Sequence, residues 1–129
     1  MFSIPLAVAA VLTVFIGLVH SVLGERKLIG PLVAPERRQG ILAKSAFSRG
    51  VLRFAWHITT LAWWGFAVIL AAFSMSPLAG HDRLVLAVIA GMFLLSGVMT
   101  LIAGRGRHLA WIVFFAIAGL SAMPLLQGA

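Results

Sequence analysis

The chain contains no cysteine. That absence excludes disulfides, thiolate metal sites, iron–sulfur clusters and thiol redox chemistry together. Carboxylates are nearly as scarce, with Glu25, Glu36 and Asp82 the only three in 129 residues, so no paired acid/base site is visible. Charged residues make up 10% of the chain and hydrophobic ones 62%, with a mean hydropathy of +1.10. A soluble globular domain carries about 25% charged residues. The composition therefore excludes an ordinary soluble globule and points to an integral membrane protein. Neither HxxxH, ExxH nor CxxCH occurs anywhere.

What the sequence has is long apolar runs. Ile4 to Leu23 is interrupted only by Pro5, Thr13, His20 and Ser21, and further runs cover residues 51–73, 84–103 and 109–126, the last bent near Pro124. Each matches the roughly 20 residues of a transmembrane helix. The first run reads as a span and not as a secretory signal, because Met1-Phe2-Ser3 supplies no basic residue and no small-residue cleavage site precedes Glu25. The expected fold is all-α: an antiparallel four-helix transmembrane bundle forming a single domain. The Gly/Pro/Arg-rich segment 25–50 joins the first two spans, with Ile41 to Phe47 read as a short interfacial helix or the start of span two. Short loops join the others. The Gly104-x-Gly106 turn reads as a tight hairpin, lacking the Lys-Ser/Thr of a phosphate loop.

Basic residues set the expected orientation. Nine of the ten Lys and Arg fall on one side: Arg26, Lys27, Arg37, Arg38, Lys44, Arg49 and Arg53 around the first loop, with Arg105 and Arg107 in the third. Arg83 stands alone on the other. Lys and Arg are retained in the cytoplasm, which places both termini outside it and the basic loops inside, in a bacterial inner (plasma) membrane. The +7 charge is then explained by topology and by anionic lipid head groups, and a nucleic-acid partner is not expected.

Ionisable groups inside a span cost roughly 2.5–3.5 kcal/mol each and so mark candidate sites. His20 and His57 qualify, at similar depth in the cytoplasmic half. Arg53, His57, Thr60 and Trp64 form one helical stripe, and Thr13, Gly17, His20 and Gly24 another. Ser96 and Thr100 on span three, and His108 and Trp111 at the start of span four, are expected to reach the same layer. Glu25 lies about 140° from His20 on a continuous helix and joins the cluster only if the chain breaks at Gly24. There it pairs with Arg53 or orients His57; the plain alternative is an interfacial ion pair with Arg53 or Arg49. Ser21 is adjacent to His20, and neighbours on a helix diverge by about 100°, so the two form no nucleophile–base pair.

These residues leave several functions open. His20 and His57 are candidate ligands for a haem or a transition-metal ion serving electron or proton transfer, with Arg53 as anion partner and Glu25 as orienter. The alternatives are an accessory or assembly subunit of a membrane complex with no chemistry of its own, or an oligomeric ion or small-solute conduit. Met75, His81 and Asp82 are a weaker candidate for a soft metal. Ala87-x-x-x-Gly91 and Ala118-x-x-x-Ala122 are small-residue faces compatible with a homo-oligomer. An enzymatic role is left undecided, since it requires a cofactor.

Overall fold

A computed structural model describes Phe2 to Gln127; the chain ends, whose placement outside the cytoplasm was expected, lie outside the described residues. The described chain is all-helical. Its elements are α1 (Ile4–Gly24), a π-helical turn (Glu25–Ile29), α2 (Gly30–Val33), α3 (Ile41–Lys44), α4 (Ala46–Ser74), α5 (Gly80–Ala103) and α6 (Ala110–Gln127). Four helices are long and apolar enough to cross a membrane: Ile4–Val33, Ala46–Ser74, Gly80–Ala103 and Ala110–Gln127. The architecture is consistent with a four-helix transmembrane bundle.

The first helix runs past Gly24, where the sequence suggested a loop. Gly24 keeps right-handed helical angles, and Glu25 to Leu28 are adequate helix formers. Pro31 has no N–H to return to Lys27, and just before it the ladder widens: the Gly30 N–H reaches back to Glu25 O. A Cβ at Gly30 would lie 2.7 Å from that same oxygen, so the widened turn requires glycine there. Ala34 turns extended ahead of Pro35 and ends the helix.

The chain divides into two compact units. One comprises the chain up to Ile16 together with everything from Gly65 on; the other is Gly17–Trp64. In the first, Phe93 lies at the centre of an aromatic row, its ring centroid 6.2 Å from Phe66 and 6.0 Å from Phe114. Leu6, Leu70, Leu86, Ile89 and Ile117 are buried with it. α5 and α6 form a hairpin whose turn closes α5 with a Schellman motif, Gly106 N–H bonding to Leu101 O and Arg105 N–H to Ile102 O. The tight reading of the Gly104-x-Gly106 turn agrees with this geometry, but the left-handed position falls on Arg105, at φ +47°.

In the Gly17–Trp64 unit, Ser45 breaks the chain between α3 and α4 in extended conformation and caps α4 by accepting the Ser48 N–H at 3.1 Å. Arg49 Nη1 donates to Leu42 O at 2.8 Å, tying α3 to the first turns of α4.

Candidate functional site

Apart from Thr13, the polar residues singled out on the first two spans meet inside the Gly17–Trp64 unit, where the end of α1 runs antiparallel to the first half of α4. Arg53 Nη2 pairs with Glu25 Oε1 at 2.7 Å, and its Nε donates to Oε2 at 3.2 Å. His57 Nε2 donates to the same Oε2 at 3.2 Å, and on the other side of the ring Ser21 Oγ lies 2.9 Å from Nδ1. Ser21 continues to Thr60 Oγ1 at 2.8 Å, and the Thr60 hydroxyl reaches Gly17 O at 3.2 Å. Further along, Trp64 packs on Gly17, where a Cβ would lie 2.7 Å from the indole nitrogen.

Glu25 reaches this array without a break at Gly24, which corrects the sequence expectation. Ser21 and Glu25 are four residues apart, about 40° around the helix, so both face His57, whereas His20 lies about 140° away from Glu25. The carboxylate therefore belongs to His57 and Arg53. The proposed Glu25–Arg49 pair does not form; Arg49 is engaged with Leu42 O instead.

His20 has its own set of partners. Its Nε2–H donates to Trp56 O at 3.2 Å, and Trp56 Nε1–H donates to His20 O at 3.1 Å. The two rings are stacked, 4.3 Å apart and 6° from parallel, with Trp63 edge-on at 5.0 Å. Gly24 lies directly against the Trp56 indole, and any Cβ there overlaps it.

Proton counting restricts what the array can do. Thr60 has one hydroxyl proton. If it goes to Ser21, Ser21 donates to His57 Nδ1, and His57 carries its proton on Nε2 toward the salt-bridged Glu25. If it goes to Gly17 O, Ser21 donates to Thr60, and His57 donates from both nitrogens as an imidazolium. Both orders place a proton on Nε2 and engage Nδ1 with Ser21. A metal at His57 therefore has to displace Ser21 or Glu25. Among the described residues, no group of three or more His, Cys, Asp or Glu is arranged to hold a metal ion.

The distances from Ser21 to His57 to Glu25 match a nucleophile, base and orienter. Sequence reasoning missed this contact because it paired Ser21 with its neighbour His20; the i, i+4 spacing of Gly17, Ser21 and Glu25 is the signal that finds it. Acyl transfer also needs donors aimed at the oxyanion. Ser21 lies within α1, where the backbone N–H groups around it are engaged in the helical ladder and are not aimed at an oxyanion.

The remaining candidates make local bonds. Thr13 donates to Ala9 O, Ser96 to Met92 O and Thr100 to Ser96 O, each on its own helix, and Trp111 donates to Gly106 O. A helix-internal carbonyl four residues back is the near acceptor for a hydroxyl within a span. His81 lies 3.3 Å from Asp82, whose carboxylate also accepts the Ala79 N–H at the start of α5.

With this geometry in hand, comparison adds no relative: no protein-family model, curated protein or solved structure matches the chain.

Proposed function

We propose that this protein is an accessory or assembly subunit of a membrane complex, with no chemistry of its own, whose polar layer fixes the register of its first two spans. The observation that carries this reading is the mutual engagement of the layer. Glu25, Arg53, His57, Ser21 and Thr60 bond one another, while His20 and Trp56 exchange bonds across the same helix pair. Interhelical polar bonds of this kind stabilise a membrane helix pair by about 0.6 kcal/mol each on average, enough in series to select one register over a one-residue slip. The relay also ends at a backbone carbonyl, Gly17 O, which argues against a through-going proton path.

Orientation and location follow from the charge split. Nine of the ten basic residues falling in or beside the first and third loops favour a bacterial inner membrane, with anionic head groups of the cytoplasmic leaflet against the basic segment. The Ala87-x-x-x-Gly91 face on α5 is the surface offered to a second copy or to another subunit, whereas Ala118 on α6 is buried within the protein.

The competing cofactor reading gives the test. The protein, purified gently in detergent, is expected to show no Soret band and no stoichiometric metal by elemental analysis. His20→Ala and His57→Ala are expected to lower thermal stability in graded fashion. A haem or metal present in the wild type and lost from both variants overturns the proposal in favour of a ligand site. Histidine-dependent ion flux in liposomes overturns it in favour of a conduit.

A further inference from the structure

The segment between α2 and α4 forms a surface of its own. Gly40, at φ +57°, turns the chain into α3, and Ser45 breaks it again before α4, leaving a shallow groove between the two helices. The groove is open to its surroundings, has a volume of about 520 Å³ and is lined by Ile41, Leu42, Phe47, Val51, Leu52 and Ala55, with Ser48 its one polar member. Two of its lining side chains are open: Phe47 is 80% exposed and Ile41 68%.

The charged residues near this groove in sequence are almost all of one sign, and Arg49 bonds the carbonyl of its lining residue Leu42. Lys44 stands three residues after Ile41 on α3, and Arg49 two after Phe47 on α4. Arg37 and Arg38 lie in the turn just before α3. The nearest acidic residue in sequence is Glu36, and the unit's only other carboxylate, Glu25, is already neutralised by Arg53. An apolar cleft with a cationic rim, at the end of a helix long enough to cross a membrane, matches a ligand with an apolar tail and an anionic head.

We infer that this groove is a binding site for one anionic glycerophospholipid, an acyl chain lying along Phe47, Val51 and Ala55 and the phosphate held by Lys44 and Arg49. Arg49 already gives Nη1 to Leu42 O. That bond fixes the guanidinium beside the groove and leaves its remaining N–H groups to meet the head group. The site is independent of the accessory-subunit reading, since a cofactor found at His57 leaves it standing.

Native mass spectrometry of the full-length protein in detergent, titrated with phosphatidylglycerol or phosphatidylcholine of identical chains, tests the inference. One phosphatidylglycerol is expected to be retained in preference to phosphatidylcholine. Lys44→Gln is expected to weaken phosphatidylglycerol binding about fivefold, the effect of one surface cation, and Lys27→Gln, outside the groove, to leave it unchanged. Phe47→Ser is expected to weaken both lipids; Ile41→Ser reads the same wall should Phe47→Ser not fold. Equal retention of the two lipids, equal loss in Lys27→Gln and Lys44→Gln, or unchanged binding with a serine in the wall overturns it. Displacement of the lipid by inorganic phosphate alone also overturns it, because the ligand is then the free anion.

Discussion

His20 and Trp56 each donate a ring N–H to the other's backbone carbonyl, at 3.2 and 3.1 Å, while their rings stack 4.3 Å apart. Two side chains on facing helices are thus fastened both to each other and to the opposite backbone. A slip of either helix by one residue loses both hydrogen bonds and the stack together. Replacing one partner leaves the other's N–H and carbonyl to find new partners in an apolar setting, so the two substitutions are coupled. A double-mutant cycle with His20→Phe and Trp56→Phe, read by unfolding in mixed detergent, is expected to give a coupling energy of about 1 kcal/mol. Additive losses to within about 0.3 kcal/mol would show that the reciprocal bonds contribute nothing jointly.

Glycine positions sort by what lies over them. At Gly24 a Cβ overlaps the Trp56 indole, and at Gly17 it would meet Trp64 and Thr60 at 2.7 and 3.2 Å. Gly65, one residue beyond Trp64, has nothing within 4 Å. Gly24→Ala and Gly17→Ala are expected to destabilise the protein by about 1–3 kcal/mol through overpacking. Gly65→Ala is expected to stabilise it by about 0.5–1 kcal/mol, through the helical preference of alanine. Melting temperatures of the three variants check the sorting, and a loss at Gly65 equal to that at Gly24 contradicts it.

The fold class was readable because four long apolar runs, each of helical spanning length, require no knowledge of contacts. The candidate site was readable in part. The stripe Arg53, His57, Thr60 and Trp64 follows from helical spacing alone, and so does the room left by Gly17. What the sequence concealed was the phase of the facing helix. Assigning its polar face to His20 and Gly24 put Ser21 and Glu25 on the wrong side, and a chain break was then needed to recover Glu25. The π-helical turn was equally hidden, since Pro31 signals an interruption but not whether the helix ends or widens around it.

The Glu25 carboxylate joins two donors, Arg53 at 2.7 Å and His57 at 3.2 Å. Glu25→Gln keeps the shape and one acceptor but removes the charge. Both Arg53 and Glu25 are a third to a half exposed, so solvent screens the pair and the expected loss is about 1 kcal/mol, well below the cost of breaking a buried pair. Arg53→Gln is expected to cost no more. Combining the two is expected to cost less than their sum, as measured by chemical unfolding. A loss above about 3 kcal/mol for Glu25→Gln alone would place the pair in a far drier setting than its exposure indicates.

Ser21 and Thr60 form the other half of the relay, and Thr60 is 3% exposed. Thr60→Val preserves volume and deletes the hydroxyl that Ser21 and Gly17 O share. Ser21→Ala removes the link between that hydroxyl and His57. Each is expected to cost about 0.6–1.7 kcal/mol, from the average to the largest value for interhelical polar bonds in a membrane setting. The double variant is expected to cost little more than the worse single, because either change already interrupts the hydroxyl chain.

Arg105 holds the left-handed position of the Schellman turn between α5 and α6, at φ +47°. A side chain in that conformation costs roughly 1–2 kcal/mol relative to glycine, yet neighbouring Gly106, at φ +75°, already supplies the next residue of the turn. The hydrogen bonds that close the turn, from Gly106 to Leu101 O and from Arg105 to Ile102 O, come from backbone and survive substitution. Arg105→Gly is therefore expected to raise stability by about 0.5–1 kcal/mol, less than the full conformational cost because glycine also gains freedom in the unfolded chain. Arg105→Val, β-branched and intolerant of positive φ, is expected to lower it. The pair of melting curves separates backbone strain from charge: both variants remove the same cation, so equal shifts of one sign in both would assign the effect to the lost guanidinium, and opposite shifts assign it to the turn.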